Sequence, residues 1–286
     1  MSATHSMFDT VGPRAQRWVR IVTAASVLFL LGLFAVAYWR FYESGALAPS
    51  RWYDLYQPHN VRYLGNALVN TAKAAAGAAA IALPLGLVLA VGRLSTRWWW
   101  RWPCAAVVEL FRAVPVLLVI YIFMFALPAY GFDPDVYWKL VLPIALCASA
   151  ILAEVFRAGV LALPKGQNEA ALAVGMTKGQ AFRQVVFPQA LRLVVPALVA
   201  QAVIVVKDTA FGYVVSYAEL MHSGRVLVSN TGNLVQTYLV ITVVYILVNV
   251  IISQVAQRLD VALARRRSGR SQLSLLAGRF GRRPAP

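Results

Sequence analysis

Apolar residues along this chain fall into six long runs, which are separated by shorter polar segments. A helix needs about 20 apolar residues, at a rise of about 1.5 Å per residue, to cross the hydrocarbon core of a membrane, and each run meets that length. The pattern predicts an all-α integral membrane protein with about six transmembrane helices. The runs cover approximately residues 19–39, 68–91, 104–127, 140–163, 193–215 and 234–255.

The overall composition agrees with this fold class. Of the 286 residues, 60% are hydrophobic and only 13% are charged, which is too apolar for a soluble domain of this length. Alanine and glycine fill the second run around residues 74–80, which permits close helix packing, and Pro84 is expected to kink that helix. We interpret residues 19–39 as a retained span because the run is too long for a signal sequence.

Basic residues are distributed unevenly over the polar segments. Lys and Arg concentrate in the N-terminal segment 1–18, in the loop after the second run, in segment 164–192 and in the tail 259–286. Because basic loops stay in the cytosol, we expect a multi-pass protein with both termini inside. The tail is expected to be flexible and to contact anionic membrane lipids.

Several other classes of protein are disfavoured. A net charge of +16 is typical of nucleic-acid binders, but in a membrane protein it reflects cytosolic loops, so we expect no nucleic-acid partner. Cys104 and Cys147 lie in apolar runs and lack the spacing of a metal site or a disulfide framework. We expect no metal, no cofactor and no catalytic residue in this chain.

Segment 164–192 is of mixed polarity and lies between two strongly apolar runs. Asn168 is expected to cap a short helix that extends to Val174. Glu169 would then lie in the first turn, where the helix dipole favours an acidic side chain. Gly175 is expected to end this helix.

A second short helix is predicted directly afterwards. Thr177 and Gln180 have the spacing of a capping box, and Pro188 is expected to close the helix that they open. Ala170 and Ala171 leave a smooth surface of small side chains on the first helix. The segment therefore predicts a compact cytosolic helix-turn-helix against which another protein can dock.

The same segment carries a family resemblance. Glu169-Ala170-Ala171 is followed after three residues by Gly175 and, nine residues later, by Val185-Val186-Phe187-Pro188. This arrangement resembles the EAA loop of ABC importer permeases, the membrane subunits of ATP-driven solute importers. Val185 and Phe187 depart from the family's Ile-x-Leu-Pro ending, but both remain apolar. The resemblance implies that the ATPase is coupled through Glu169, Ala170, Ala171, Gly175 and Pro188.

The resemblance extends over about residues 60–258 and implies the five-helix core of a type I ABC importer, preceded by one N-terminal span. Lys207-Asp208-Thr209-Ala210 and the segment around it are similar to the polar amino acid branch, and most like the glutamate-type permeases. The implied function is import of a polar amino acid, with glutamate as the best guess, across a bacterial cell membrane. The implied partners are a pair of ATP-binding subunits, a second permease subunit, identical or different, and an extracytoplasmic solute-binding protein.

Four ionisable residues lie in pairs inside two of the apolar runs. Glu109 and Arg112 are three residues apart, as are Glu154 and Arg157, so each pair shares one helix face. We expect Glu154 near mid-membrane, where an acid must face the bundle interior, a partner or water. Glu154 and Arg157 are candidates for the substrate path, with a structural ion pair equally open. For Glu109 and Arg112, gating and structural roles both stay open.

The fifth run supplies further candidates for the substrate path, namely Lys207, Asp208 and Thr209. Lys207 and Asp208 are adjacent and point to different faces of the helix, so one can line the cavity while the other contacts a neighbouring helix. Glu154, Lys207 and Asp208 are the candidates for charge complementary to an amino acid. Gly212 leaves the helix breakable, as a substrate path requires. Glu219 and its polar neighbours are expected in an outer loop that is open to a binding protein.

The energy source is expected to lie in another subunit. The sequence contains no G-x-x-x-x-G-K-[ST] motif, so we expect a partner to bind ATP and this chain not to be an enzyme by itself. Two alternatives stay open. An ion-gradient-driven secondary transporter or channel would show a paired internal repeat, and a non-transporting scaffold would not need ionisable residues inside its spans.

Overall fold

The computed structural model describes residues 12–255 and residue 258. In this part of the chain all regular structure is helical. Residues 1–11 of the predicted N-terminal segment and the whole of the predicted basic tail, 259–286, lie outside the described residues.

The helices are numbered in chain order over residues 12–255. A π-helical turn joins α5 to α6, another joins α9 to α10, and a short 3-10 helix follows α10. The bounds are α1 Pro13–Glu43, α2 Ser50–Tyr56, α3 Pro58–Leu94, α4 Trp98–Ala113, α5 Val116–Tyr121, π turn Ile122–Ala126, α6 Leu127–Ala129, α7 Val136–Leu161, α8 Lys165–Ala173, α9 Lys178–Ala181, π turn Phe182–Val186, α10 Phe187–Asp208, 3-10 Thr209–Tyr213, α11 Leu220–Thr231 and α12 Leu234–Val255.

Five helical stretches in the described residues are long and apolar enough to cross a membrane. A sixth span is present if α4 and the following helix, which are bent by 100° at their junction, count as one. The prediction of an all-α membrane protein with about six spans is confirmed. The five stretches are Arg14–Glu43, Pro58–Leu94, Val136–Leu161, Lys178–Tyr213 and Leu234–Val255.

The third apolar run, predicted as one span over about residues 104–127, is broken into two helices that are bent by 100° at their junction. Val114 has extended backbone angles, φ −89° and ψ 127°, because the ring of Pro115 disfavours the α region for the residue before it. Helix α4 also crosses the end of α3: a Cβ at Gly92 would overlap Cys104, and Glu109 reaches the neighbouring residue of α3, Arg93.

The core forms where α3 packs against α7. Ala74, Ala78 and Ala82 follow one another at the spacing of one helix face and are fully buried. A Cβ at Gly77 would meet residues 137 and 141, whereas one at Gly86 would meet residues 149, 152 and 153. Positions therefore advance together along the two helices, which run parallel. Pro84 lies inside α3 without ending it.

Helix α10 packs antiparallel to α7, whereas α1 buries none of its apolar window against the other helices. Gly159 near the end of α7 lies against Ala190 and Val194 near the start of α10, and a Cβ there would overlap Val194. The apolar window of α1 has none of its residues buried. The bundle that positions the candidate sites is therefore built from α3, α4, α7, α10, α11 and α12.

Candidate functional site

Helix α8 carries the first half of the predicted coupling loop, and it begins three residues earlier than predicted. Pro164 precedes it with φ −56° and ψ 130°, and the Gln167 amide already donates to the Pro164 carbonyl at 3.0 Å. Asn168 therefore lies inside the helix, and the prediction that it caps the helix is wrong. Glu169 is also not in the first turn. Proline starts a helix readily because its φ is already helical and its missing N–H is not needed there.

Gly175 ends α8 through a left-handed turn, as predicted. Its φ is +87°, which glycine adopts without strain. The Gly175 amide donates to the Leu172 carbonyl at 3.0 Å, and the Met176 amide donates to the Ala171 carbonyl at 3.2 Å. These two bonds form a Schellman motif, which satisfies the last carbonyls of the helix and fixes the exit direction of the chain.

The predicted capping box is present at the start of α9. The Thr177 amide donates to Gln180 Oε1 at 2.9 Å, and the Gln180 amide donates to Thr177 Oγ1 at 3.4 Å. Pro188 does not close this helix, so that prediction is wrong. The Phe187 amide bonds to the Phe182 carbonyl five residues earlier, and this widened turn leads directly into Pro188, which has no N–H to place.

The residues predicted to couple the ATPase differ in their exposure. Glu169, Ala170 and Gly175 are exposed, whereas Ala171 is 5% exposed and Pro188 is half-buried. Ala181 of α9 is also fully buried, so small side chains on both helices hold them close together. Glu169 also borders an open cavity of about 530 Å³ that is lined by the C-terminal ends of α3 and α7, by α8 and by the start of the long helix that follows it.

The two predicted ion pairs belong to a single network. Arg93 Nη1 lies 2.7 Å from Glu154 Oε2, and Arg93 Nη2 lies 3.2 Å from Glu109 Oε1. Arg112 Nη1 lies 3.6 Å from Glu109 and 3.9 Å from Glu154, and Arg157 Nε donates to Glu154 Oε1 at 3.1 Å. Three arginines and two glutamates therefore join α3, α4 and α7.

Arg93 was not among the residues predicted from sequence. It lies in the last turn of α3, and its side chain is only 14% exposed. The Glu154 carboxylate therefore lies at the level of the C-terminal end of α3, whereas the sequence predicted a position near mid-membrane. The available signal was an arginine at the end of the second apolar run. By itself such an arginine is equally typical of a helix end that faces solvent.

The candidates on α10 lie apart from this network. Lys207 is exposed, Asp208 is half-buried, and Thr209 is fully buried with its hydroxyl 2.7 Å from the Val206 carbonyl. Adjacent residues thus point to different faces, as predicted. Because α10 runs antiparallel to α7 from the contact at Gly159, Asp208 lies about 13 Å from Glu154 along the bundle axis at 1.5 Å per residue. The structure does not bring the two groups together.

Glu219 is a buried acid that the sequence reasoning placed in an exposed outer loop. Glu219 instead caps the start of helix α11. Its carboxylate accepts hydrogen bonds from the amides of Met221 at 2.8 Å and His222 at 2.7 Å. The Tyr245 hydroxyl donates to it at 3.0 Å. Burial raises the pKa of Glu219 to about 7, against the lowering effect of these three hydrogen bonds. The signal that was missed is the position of the acid: Glu219 lies two and three residues before amides in the first turn of α11 that have no partner within the helix, which is the position of an N-cap.

A helical bundle of candidate membrane spans, with a short helix-turn-helix between two of them, is the arrangement of an integral membrane protein. Residues 82–265 match the family described as binding-protein-dependent transport system inner membrane component. The chain belongs to this family, which does not favour the ion-gradient alternative.

Named relatives are similar over most of their length. The chain is 33% identical over 239 residues to the glutamate transport system permease protein GluD of Corynebacterium glutamicum, which covers 82% of this chain and 86% of that protein. It is 31% identical over 198 residues to the octopine transport system permease protein OccM of Rhizobium radiobacter, which covers 65% of this chain and 81% of that protein.

A solved structure has the same fold. The crystal structure of an amino acid ABC transporter with histidines matches with a TM-score of 0.67 and 27% identity, over 71% of this chain and 94% of that chain. The fold is that of a type I ABC transporter membrane subunit, as the resemblance implied.

Proposed function

We propose that this chain is the permease subunit of an ATP-driven importer for a polar amino acid, and that a separate ATPase pair drives it through α8. The observation that carries the proposal is the stiffness of the connection behind α8. The Schellman motif at Gly175 and the capping box at Thr177 leave only a short, hydrogen-bonded link between α8 and α9. From Lys178 the helix then runs on to Tyr213.

This connection allows a displacement of α8 to be transmitted to the long helix that follows it. Glu169, Ala170 and Gly175 are exposed for contact with the ATPase, while Ala171 fixes α8 on α9. When ATP binding brings the ATPase pair together, a rigid displacement of α8 is carried along one continuous helix to the region of Asp208. The permease dimer then changes from inward-facing to outward-facing.

The remaining partners follow from the family. A binding-protein-dependent system needs an extracytoplasmic solute-binding protein to deliver substrate, and α11 lies on the outer side of the proposed topology. We propose a second permease subunit, identical or different, across the substrate path. Both termini are assigned to the cytosol.

The substrate path is assigned chiefly to α10. Glu154 is held by three arginines, whereas the half-buried Asp208 has no ion pair or side-chain hydrogen bond within residues 12–255. We assign recognition of the charged groups of an amino acid to Lys207 and Asp208, with Thr209 beside them. Glu154 and Arg157 then belong with Glu109 and Arg112 to the inner network. We propose glutamate as the substrate, and the similarity to GluD supports this choice.

The coupling proposal is tested by an arginine on α8. Ala170→Arg places a long charged side chain on the exposed face, where it obstructs docking without entering the core. We expect the variant to insert into the membrane normally but to lose co-purification with the ATPase and substrate uptake. Tyr130→Arg is the matched control, because Tyr130 is 89% exposed in the loop between α6 and α7. Retained ATPase binding and uptake in Ala170→Arg would contradict the proposal.

The substrate assignment needs a separate measurement. Uptake of labelled glutamate into vesicles that contain the complete transporter is measured in competition with unlabelled glutamate, glutamine and arginine. We expect glutamate to compete best. Asp208→Asn and Lys207→Gln are expected to weaken uptake while leaving ATPase co-purification intact. Unchanged uptake in both variants would remove these residues from the path.

A further inference from the structure

An open cavity of about 390 Å³ lies at the elbow between α3 and α4. One wall is apolar and belongs to α3, where Val88 and Val91 are 64% and 44% exposed. The other end is polar and is formed by the connecting residues Ser95, Thr96 and Arg97. The site therefore combines an apolar wall with a polar, basic end.

The basic end has positive charge that the protein does not neutralise. Within the described residues, Arg97 makes no ion pair, in contrast to Arg93 four residues earlier. Its guanidinium lies 5.6 Å from the ring centre of Trp99, an aromatic contact that leaves its N–H groups free for an anion. The Ser95 hydroxyl accepts from the Arg97 amide at 3.2 Å, which fixes the turn.

The surroundings of the cavity are those of a membrane–water boundary. Trp98, Trp99, Trp100 and Trp102 are all more than half exposed, at 69%, 51%, 53% and 66%. Tryptophan is enriched at the level of lipid headgroups. Because α4 crosses the end of α3, these rings lie beside the inner end of the bundle, with Arg101 next to them.

We propose that this elbow is a binding site for an anionic phospholipid of the inner leaflet. One acyl chain lies along Val88 and Val91, and the headgroup phosphate accepts hydrogen bonds from Arg97 and the Thr96 hydroxyl. The exposed valines select a lipid over free phosphate, since phosphate has no apolar part to bury against them. This proposal does not depend on the identity of the substrate. Thr96 also lines the cavity that Glu169 borders, whereas Arg97 lines only the elbow cavity of these two.

The test uses the full chain purified in detergent, with lipid retention read by native mass spectrometry. Phosphatidylglycerol and phosphatidylcholine are titrated in parallel, and phosphatidylglycerol is expected to bind preferentially. Arg97→Gln is expected to weaken phosphatidylglycerol about five-fold, the effect of one arginine near an anionic surface. Thr96→Val is expected to weaken it as well, and Arg97→Lys is expected to restore most of the binding.

Two further arms separate the possible sources of the effect. Arg51→Gln removes another exposed arginine, in α2, and is expected to leave retention unchanged. Excess inorganic phosphate is expected not to displace the lipid. Equal retention of both lipids, equal loss in Arg51→Gln, or full displacement by phosphate would each overturn the proposal. Melting temperatures of all variants confirm that they are folded.

Discussion

At the scale of single residues, the charge network around Glu154 places five ionisable side chains close together in the bundle. Its carboxylate is 25% exposed and is shared by Arg93, Arg112 and Arg157. Removing one member of a poorly solvated ion cluster leaves like charges close together, and this costs more than the cluster contributes when it is complete.

Glu154→Gln is therefore expected to destabilise the protein. It leaves the three arginines facing only Glu109, and we expect a loss of about 2 kcal/mol, less than the ~3–5 kcal/mol for a fully buried pair because the site keeps some solvent. The measurement is chemical unfolding in detergent. Asp133→Asn is the control: Asp133 is 65% exposed where it pairs with Lys139, and such pairs contribute about 1 kcal/mol or less. Equal losses in the two variants would contradict the prediction.

Glu219 predicts a pH dependence of stability. Burial raises its pKa to about 7 in the folded protein, so between its ordinary value and about 7 the folded state binds more protons than the unfolded state. Stability from this group is then greatest at low pH and falls as pH rises through that window, with a slope of at most about 1.4 kcal/mol per pH unit. Tyr245 is the titratable group that faces it from α12.

Glu219→Gln is the variant that tests this slope. The amide stays neutral and its oxygen can still accept from the α11 amides, so melting temperature should vary less between about pH 5 and pH 7 than in the parent chain. Glu169→Gln, which removes an exposed carboxylate, should leave the slope unchanged. The same slope in Glu219→Gln as in the parent chain would contradict the assignment.

Sequence spacing predicts which residues pair on one helix, but not which helices share them. The i, i+3 pairs Glu109–Arg112 and Glu154–Arg157 are both present. Their union through Arg93 depends on the parallel register of α3 and α7 and on the crossing of α4, and no local pattern contains that information. The burial of Glu219 was not predicted for a similar reason. It comes from contacts with Gly212 in the preceding 3-10 helix and with Tyr245 in α12, and not from its own helix.

At the scale of elements, helix starts and stops were predictable where a local motif decides them. The Gly175 turn and the Thr177 capping box close on themselves within a few residues. The prediction that Pro188 ends a helix was wrong because the π turn before it allows the helix to continue. A proline normally interrupts the interior of a helix. The prediction that Asn168 caps α8 was wrong because Pro164, four residues earlier, already provides the helix start.

Close packing of α3 on α7 gives an element-scale prediction. A Cβ at Gly86 would lie 2.8 Å from the Cβ of Leu152 and 2.9 Å from the Ser149 carbonyl oxygen, whereas one at Gly65 would meet nothing within 4 Å. Alanine is favoured over glycine in a helix by about 1 kcal/mol at either site. Gly86→Ala is still expected to be destabilising by about 1–3 kcal/mol because the helices must separate.

Gly65→Ala on the same helix isolates the packing effect. We expect it to be neutral or slightly stabilising, because it changes helix propensity without a clash. Thermal unfolding of both variants in the same detergent makes the comparison. A loss of stability in Gly65→Ala as large as that in Gly86→Ala would show that the close contact is not the cause.

At the scale of the whole molecule, hydrophobic runs predict how many helices cross the membrane, but not how they assemble. The six runs correspond to five long helices and one bent pair. Run length cannot reveal the 100° bend, since both halves remain apolar. It also cannot reveal that no residue in the apolar window of α1 is buried, since a helix that faces lipid and a helix that faces protein are equally apolar.

The isolation of α1 leads to a prediction about a truncated chain. Deleting residues 1–44 removes α1 but keeps Ala46, whose carbonyl accepts a hydrogen bond from Gln236 of α12. Because no residue in the apolar window of α1 is buried, we expect an unchanged melting temperature. The basic loops that remain should still hold α8 in the cytosol. Labelling of Lys178→Cys with an impermeant maleimide, in a chain with Cys104 and Cys147 replaced by alanine, measures that orientation.

The two readouts separate packing from topology. If the truncated chain melts lower while Lys178→Cys remains protected from outside labelling, α1 stabilises the bundle even though its apolar window buries no residue. If the stability is unchanged but Lys178→Cys becomes labelled from outside, α1 sets the orientation of the chain. In that case α8 lies beyond the reach of a cytosolic ATPase, so truncation should abolish uptake without unfolding the bundle. We expect neither result, because the basic residues that flank α4 and α8 are retained.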